Sequence, residues 1–126
     1  MITLVWFRTT TGSFALPVHA TLGVRRTDGM VELPQPLPGV VGLLPGEPPI
    51  SVLSVLGSGD GQVLVATSDN APYGVHVTEV VGVRRIPDDQ IEPAPLGQRD
   101  GLITGIVYLD NEMVLIADEH VLAARL

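Results

Sequence analysis

Three histidines, His19, His76 and His120, are the side chains best suited to bind a metal or move a proton near neutral pH. A metal site would need at least two of them to converge with a carboxylate such as Glu79 or Asp118. Strand alternation places His76 and Thr78 on one face and Val75 and Val77 on the other, which predicts a polar, solvent-side histidine and no ligand set. Gly57-Ser58-Gly59-Asp60-Gly61 alternates glycines as a phosphate cradle does, but lacks the downstream Gly-Lys-Ser/Thr; it is expected to be a flexible link. Asp88-Asp89 are adjacent acids after a proline. They point in different directions, as a solvated turn does, and not together as paired catalytic carboxylates do. Ser51, Ser54 and Ser68 lack an adjacent base and a Gly-x-Ser-x-Gly elbow. No catalytic residue, metal or cofactor is therefore expected.

The ionic balance narrows the partners. The 126-residue chain carries a formal charge of -7, and all seven of its basic residues are arginine, paired only at Arg25-Arg26 and Arg84-Arg85. A polyanion would be repelled, which excludes nucleic acid as a partner. With no cysteine there are no disulfides and no thiolate chemistry. Met1 to Phe7 is far too short to cross a bilayer, and no signal peptide is evident; no membrane insertion and a cytoplasmic location are expected.

These residues must be positioned by strands. Apolar residues are mainly Val, Leu and Ile, and 14 Gly and 11 Pro interrupt them at short intervals. Ile2 to Arg8 and Phe14 to Val24 read as a hairpin through Thr9-Thr10-Thr11-Gly12-Ser13. Further strands are predicted over Val40 to Leu44, Ile50 to Leu56, Gln62 to Thr67, Tyr73 to Arg85, Leu102 to Leu109 and Glu112 to Ala117. Pro45-Gly46, Asp69-Asn70 and Asp110-Asn111 supply turns between them. Only Asp118 to Leu126 reads as helix, with Asp118 as N-cap.

An internal repeat organises the elements. Phe14-Ala-Leu-Pro-Val-His-Ala-Thr-Leu-Gly-Val-Arg-Arg26 aligns without a gap on Tyr73-Gly-Val-His-Val-Thr-Glu-Val-Val-Gly-Val-Arg-Arg85. Each copy continues with an apolar-Glu step, Val31-Glu32 or Ile91-Glu92, then with prolines (Pro34, Pro36 and Pro38; Pro93 and Pro95) and a glycine in a hydrophobic run, Gly42 or Gly105. One domain over residues 1–126 is expected, with two lobes of similar β topology at about 1–65 and 66–126. Each lobe alone is near the size at which one core becomes marginal, so the lobes should pack together.

The second half resembles the chemotaxis coupling protein family CheW through Tyr73-Gly74-Val75, Val77, Val80, Val83, Ile91-Glu92-Pro93-Ala94-Pro95, Ile103-Thr104-Gly105 and Met113-Val114-Leu115-Ile116. The first half resembles it through Leu4-Val5-Trp6-Phe7, Phe14-Ala15-Leu16, Val18, Gly39 and Ile50-Ser51-Val52-Leu53. The resemblance implies an all-β fold of two small SH3-like β-barrels around a shared core, with a short C-terminal helix. It implies an adaptor that binds the regulatory domain of a CheA-type histidine kinase and the cytoplasmic tip of a chemoreceptor. The family's Leu-Arg-Gly turn is here Leu44-Pro45-Gly46, which removes an arginine suited to bidentate contact with carboxylates. Three acidic positions of the family also stand as Gly23, Ser54 and Thr78. The partner-binding surface is expected at Val24, Arg25, Pro45, Gly46, Val77 and Val80. Self-association without a kinase, or a small ligand held in the barrel, are the alternatives.

Overall fold

The computed structural model describes residues 1–33, 37–94 and 101–125. Pro34, Pro36, Pro95 and Leu126, all used in the sequence reading, lie outside them. In chain order the strands are β1 (Ile2–Thr9), β2 (Gly12–Pro17), β3 (Thr21–Arg26), β4 (Val40–Leu44), β5 (Ile50–Leu53), β6 (Gln62–Ser68), β7 (Ala71–Val77), β8 (Glu79–Ile86), β9 (Glu92–Pro93), β10 (Ile103–Leu109) and β11 (Glu112–Ala117). Helix α1 (Glu119–Ala123) closes the described chain.

They form a six-stranded sheet, β8-β1-β2-β11-β10-β9, and a five-stranded sheet, β3-β6-β7-β5-β4. The two long strands predicted over Phe14–Val24 and Tyr73–Arg85 are each broken in two. Pro17, which cannot donate to a ladder, leads into a 3-10 turn over Val18–Ala20, and β3 emerges in the other sheet. The second break falls at Thr78, whose backbone N–H and hydroxyl both donate to the Arg8 carbonyl, at 2.8 and 3.0 Å. There the chain passes back from the five-stranded to the six-stranded sheet.

The repeat is visible in the pairing itself. Trp6 pairs with Ala15 and Gly82, while Val65, 59 positions later, pairs with Gly74 and Gly23. One residue is bulged out of each returning strand at the matching place, Leu22 in β3 and Val81 in β8. Gly42 and Gly105 also match. A Cβ at Gly42 would lie 2.8 Å from the Val31 carbonyl, and one at Gly105 would lie 3.3 Å from that of Glu92, so each glycine lets the passing segment approach. At the 59-residue offset β6 matches β1, so the second copy starts near residue 61, ahead of the expected boundary near 65, and the division between copies is not the division between sheets. Hairpin β1–β2 of the first copy sits among β8–β11 of the second, and hairpin β6–β7 of the second sits among β3–β5 of the first.

Alternate residues of the hairpins feed different cores, which explains why these strands read as continuous apolar runs. Leu4, Trp6 and Ala15 join Val107, Leu109, Val114 and Ile116 inside the six-stranded sheet. Val63 and Val65 join Leu44 and Val52 inside the five-stranded one. The opposite faces, with Val5, Phe7, Phe14, Leu16, Leu64, Tyr73, Val75 and Val77, meet in a shared core sealed by Leu122 of α1. This is the all-β arrangement of two lobes around a common core.

Candidate partner-binding surface

The expected surface is only partly assembled. Val24, 49% exposed, and Arg25 lie on β3, the edge of the five-stranded sheet. Pro45 and Gly46 are exposed in the turn between β4 and β5, and the Pro45 ring approaches Gly29, just beyond the end of β3. Those four residues therefore belong to the two opposite edges of one sheet, which approach each other where Pro45 meets Gly29. Val80 is half-buried against the shared core at the start of β8. Val77 is a correction: it has no exposure at all, because it shares the core-facing side of β7 with Tyr73 and Val75.

His76 also departs from expectation. Its opposite strand face is covered by the segment Gly57–Gly61, and it is 9% exposed rather than solvent-side. The Gly59 N–H donates to its Nδ1 at 3.1 Å, and burial pushes its pKa below 6.5 against the opposing pull of Asp60. The glycine segment is correspondingly no loose link between lobes. It joins β5 and β6 of the same sheet, and it is fixed by Thr10 N–H to the Ser58 carbonyl at 3.0 Å and Asp60 N–H to the Val77 carbonyl at 3.0 Å. A Cβ at Gly59 would lie 2.3 Å from the Val77 backbone.

Two of the histidines do converge, on a carboxylate that the sequence did not single out. His19 Nε2 and His120 Nε2 stand 3.5 and 3.6 Å from Glu119 Oε1, beside a polar hollow of about 410 Å³. The other His120 nitrogen, Nδ1, contacts the Ser68 hydroxyl at 2.6 Å. Ser68 is buried, and Glu119 stands beyond hydrogen-bond distance of the imidazole. The contacts fasten α1 to β6. No cluster of His, Asp and Glu able to hold a metal ion occurs among the described residues.

The most developed ionic cluster lies at the mouth of the six-stranded sheet and was not anticipated. Trp6 is 1% exposed, and the Arg8 and Arg84 guanidinium carbons stand 5.1 and 5.2 Å from its ring centroid, as cation–π contacts. Arg8 bridges Glu79 at 2.6 Å and Glu112 at 2.8 Å, and Ser13 donates to Glu112. Arg84 holds Asp110 at 3.0 Å. The Arg8 hydrogen bond keeps the Glu112 carboxyl below its ordinary range, and Arg84 does the same for Asp110. An arginine two residues after a tryptophan on a predicted strand, hence on its face, was the available signal.

Further hollows with apolar linings occur among the described residues. A groove of about 530 Å³ is lined by Pro38, Gly39, Ser54 and Val55 from the first copy of the repeat and by Leu102 and Arg125 from the second. A depression of about 290 Å³ on the five-stranded sheet is lined by Leu22, Gly23, Val24, Arg25 and Val65. Both are open surfaces of the kind that receive another protein.

Comparison with known proteins places this geometry. The model of the CheW-like domain family matches residues 3–126. The crystal structure of the scaffolding protein TtCheW from Thermoanaerobacter tengcongensis superimposes with a TM-score of 0.83. It covers 96% of this chain and 86% of that one at 18% sequence identity, a likeness of fold. No curated protein matched the sequence.

Proposed function

Because the chain belongs to the CheW-like domain family, we propose that it is a non-catalytic adaptor of a chemosensory complex, coupling chemoreceptors to a CheA-type histidine kinase by binding both. The family match over nearly the whole chain carries this reading. The exposed edges of the five-stranded sheet, with Val24, Arg25, Pro45 and Gly46, support it as the kinase-facing surface, and Val80 at the start of β8 is a further contact of this reading. The groove between Val55 and Leu102 supports it as the seat of a receptor helix. Such a protein works in the cytoplasm, and among the described residues no helix is long and apolar enough to cross a membrane.

The test is calorimetric titration of the protein into the regulatory domain of the CheA-type kinase of the same organism. Saturable binding at roughly micromolar Kd is expected, and absence of binding overturns the coupling role. Pro45→Arg returns a guanidinium to the turn and should tighten binding about tenfold, the equivalent of one charge-assisted hydrogen bond. A second reading is self-association, favoured by Tyr108 and Met113, cross-strand partners that are 60% and 51% exposed. Light scattering across a concentration series distinguishes it: a mass that rises with concentration supports this role, and a constant monomer mass removes it.

A further inference from the structure

We infer that the depression beside Val65 is a socket for an aromatic side chain, tryptophan foremost, presented next to a carboxylate on an extended segment of a partner protein. The inference rests on the adaptor reading and adds the chemistry of what docks.

The chain supplies its own template. Val65 stands at the position of Trp6 in the repeat, Gly23 at that of Gly82 and Arg25 at that of Arg84, with the same strand pairing around each. In the six-stranded sheet the indole fills the site, and Arg84 stands 5.2 Å from the ring centroid with its charge held by Asp110. In the five-stranded sheet the much smaller Val65 leaves the space open, as the depression of about 290 Å³. A Cβ at Gly23 would have nothing within 4 Å, so the floor there is bare backbone on which a flat ring can lie. Leu22, 63% exposed, and Val24, 49% exposed, form apolar walls.

The electrostatics are also half complete. Arg84 has Asp110, whereas Arg25 has no ion pair among the described residues and Arg26 is taken by Asp28 at 3.2 Å. In a chain of net charge -7, an unpaired arginine beside an apolar hollow selects a partner that brings a carboxylate with its ring. Among the described residues no strand neighbours the outer edge of β3, which leaves its backbone groups to an extended segment. These features favour a protein partner over a free small molecule.

The probe is the capped peptide acetyl-Asp-Trp-Asp-amide, titrated into the full-length, isotope-labelled protein and followed by amide NMR. Saturable shifts confined to Leu22–Arg25 and Val65 are expected. The same peptide with alanine for tryptophan, and the variant Arg25→Glu with the original peptide, should each bind at least tenfold more weakly. Val65→Trp should fill the socket from within and abolish probe binding while the spectrum stays dispersed; the exposed Arg25→Glu keeps the test valid if that variant does not fold. Absence of localised shifts, equal binding by the alanine peptide, or shifts elsewhere on the surface overturns the proposal. So does movement of the same resonances on simple dilution, which would make a second copy the occupant. Kinase binding measured on the same variants separates the readings. If the kinase binds and the peptide does not, the socket falls and the adaptor stands; if the peptide binds and the kinase does not, the coupling role falls.

Discussion

His76 is the residue whose burial has the clearest physiological-pH consequence. Its neutral form accepts the Gly59 N–H, and desolvation holds its folded pKa below the unfolded value of 6.5. As the pH falls through 6.5, the unfolded chain takes up a proton that the folded chain resists, so stability is lost from there downward. His76→Gln keeps an acceptor and cannot titrate; its urea midpoint should fall less than the wild type's between pH 7 and pH 5.5, and parallel profiles would refute this role. Gly59 is the other critical residue of that contact. A methyl group there meets the Val77 backbone, which cannot swing away, so Gly59→Ala should cost at least ~3 kcal/mol in chemical denaturation. A loss under 1 kcal/mol would show that the segment is looser than its hydrogen bonds indicate.

At the level of elements, α1 is too short to persist on its own helical propensity. It holds because the Asp118 carboxylate accepts from the His120 and Val121 amides at 2.8 and 3.2 Å, because Leu122 is buried in the shared core, and because the Tyr73 hydroxyl donates to the Glu119 carbonyl at 3.0 Å. Asp118→Ala should cost about 1 kcal/mol, lowering Tm by roughly 3–5 °C, and an unchanged Tm would mean that packing alone suffices. This cap was legible in the sequence, as were the turns at Asp69-Asn70 and Asp110-Asn111, whose residues all adopt positive φ from 51° to 65°. Asx residues tolerate that conformation, which is why the signal is local and readable. The strand breaks at Pro17 and Thr78 were not. Val-rich sequence runs through both, and what ends each strand is a change of sheet, which depends on strands elsewhere in the chain. The exposure of the expected surface residues was legible to a similar degree. Val24, Arg25, Pro45 and Gly46 lie on strand edges and turns where exposure is a local matter, whereas Val77 and His76 are covered by segments distant in sequence.

For the whole molecule, the interleaving of the two copies means that neither half contains a complete sheet. Residues 1–60 and 61–126 made as separate chains should each lack cooperative unfolding by circular dichroism, and mixing them should restore one transition. A half that unfolds cooperatively alone would contradict the arrangement. The same interleaving, together with the shared core, predicts a single transition for the intact protein, with both halves melting together.

The order of the strands also bears on how the protein is made. Hairpin β1–β2 leaves the ribosome before the rest of this domain, yet its neighbours in the sheet are β8, which starts at residue 79, and β11, which starts at residue 112. Until nearly the whole chain has been synthesised, the indole of Trp6 and the stacked rings of Phe7 and Phe14 have no enclosing core, and both hairpin edges offer unpaired backbone to any passing strand. The nascent first half therefore has the properties of a chaperone client, and the rate at which translation delivers β8 to β11 sets how long that exposure lasts.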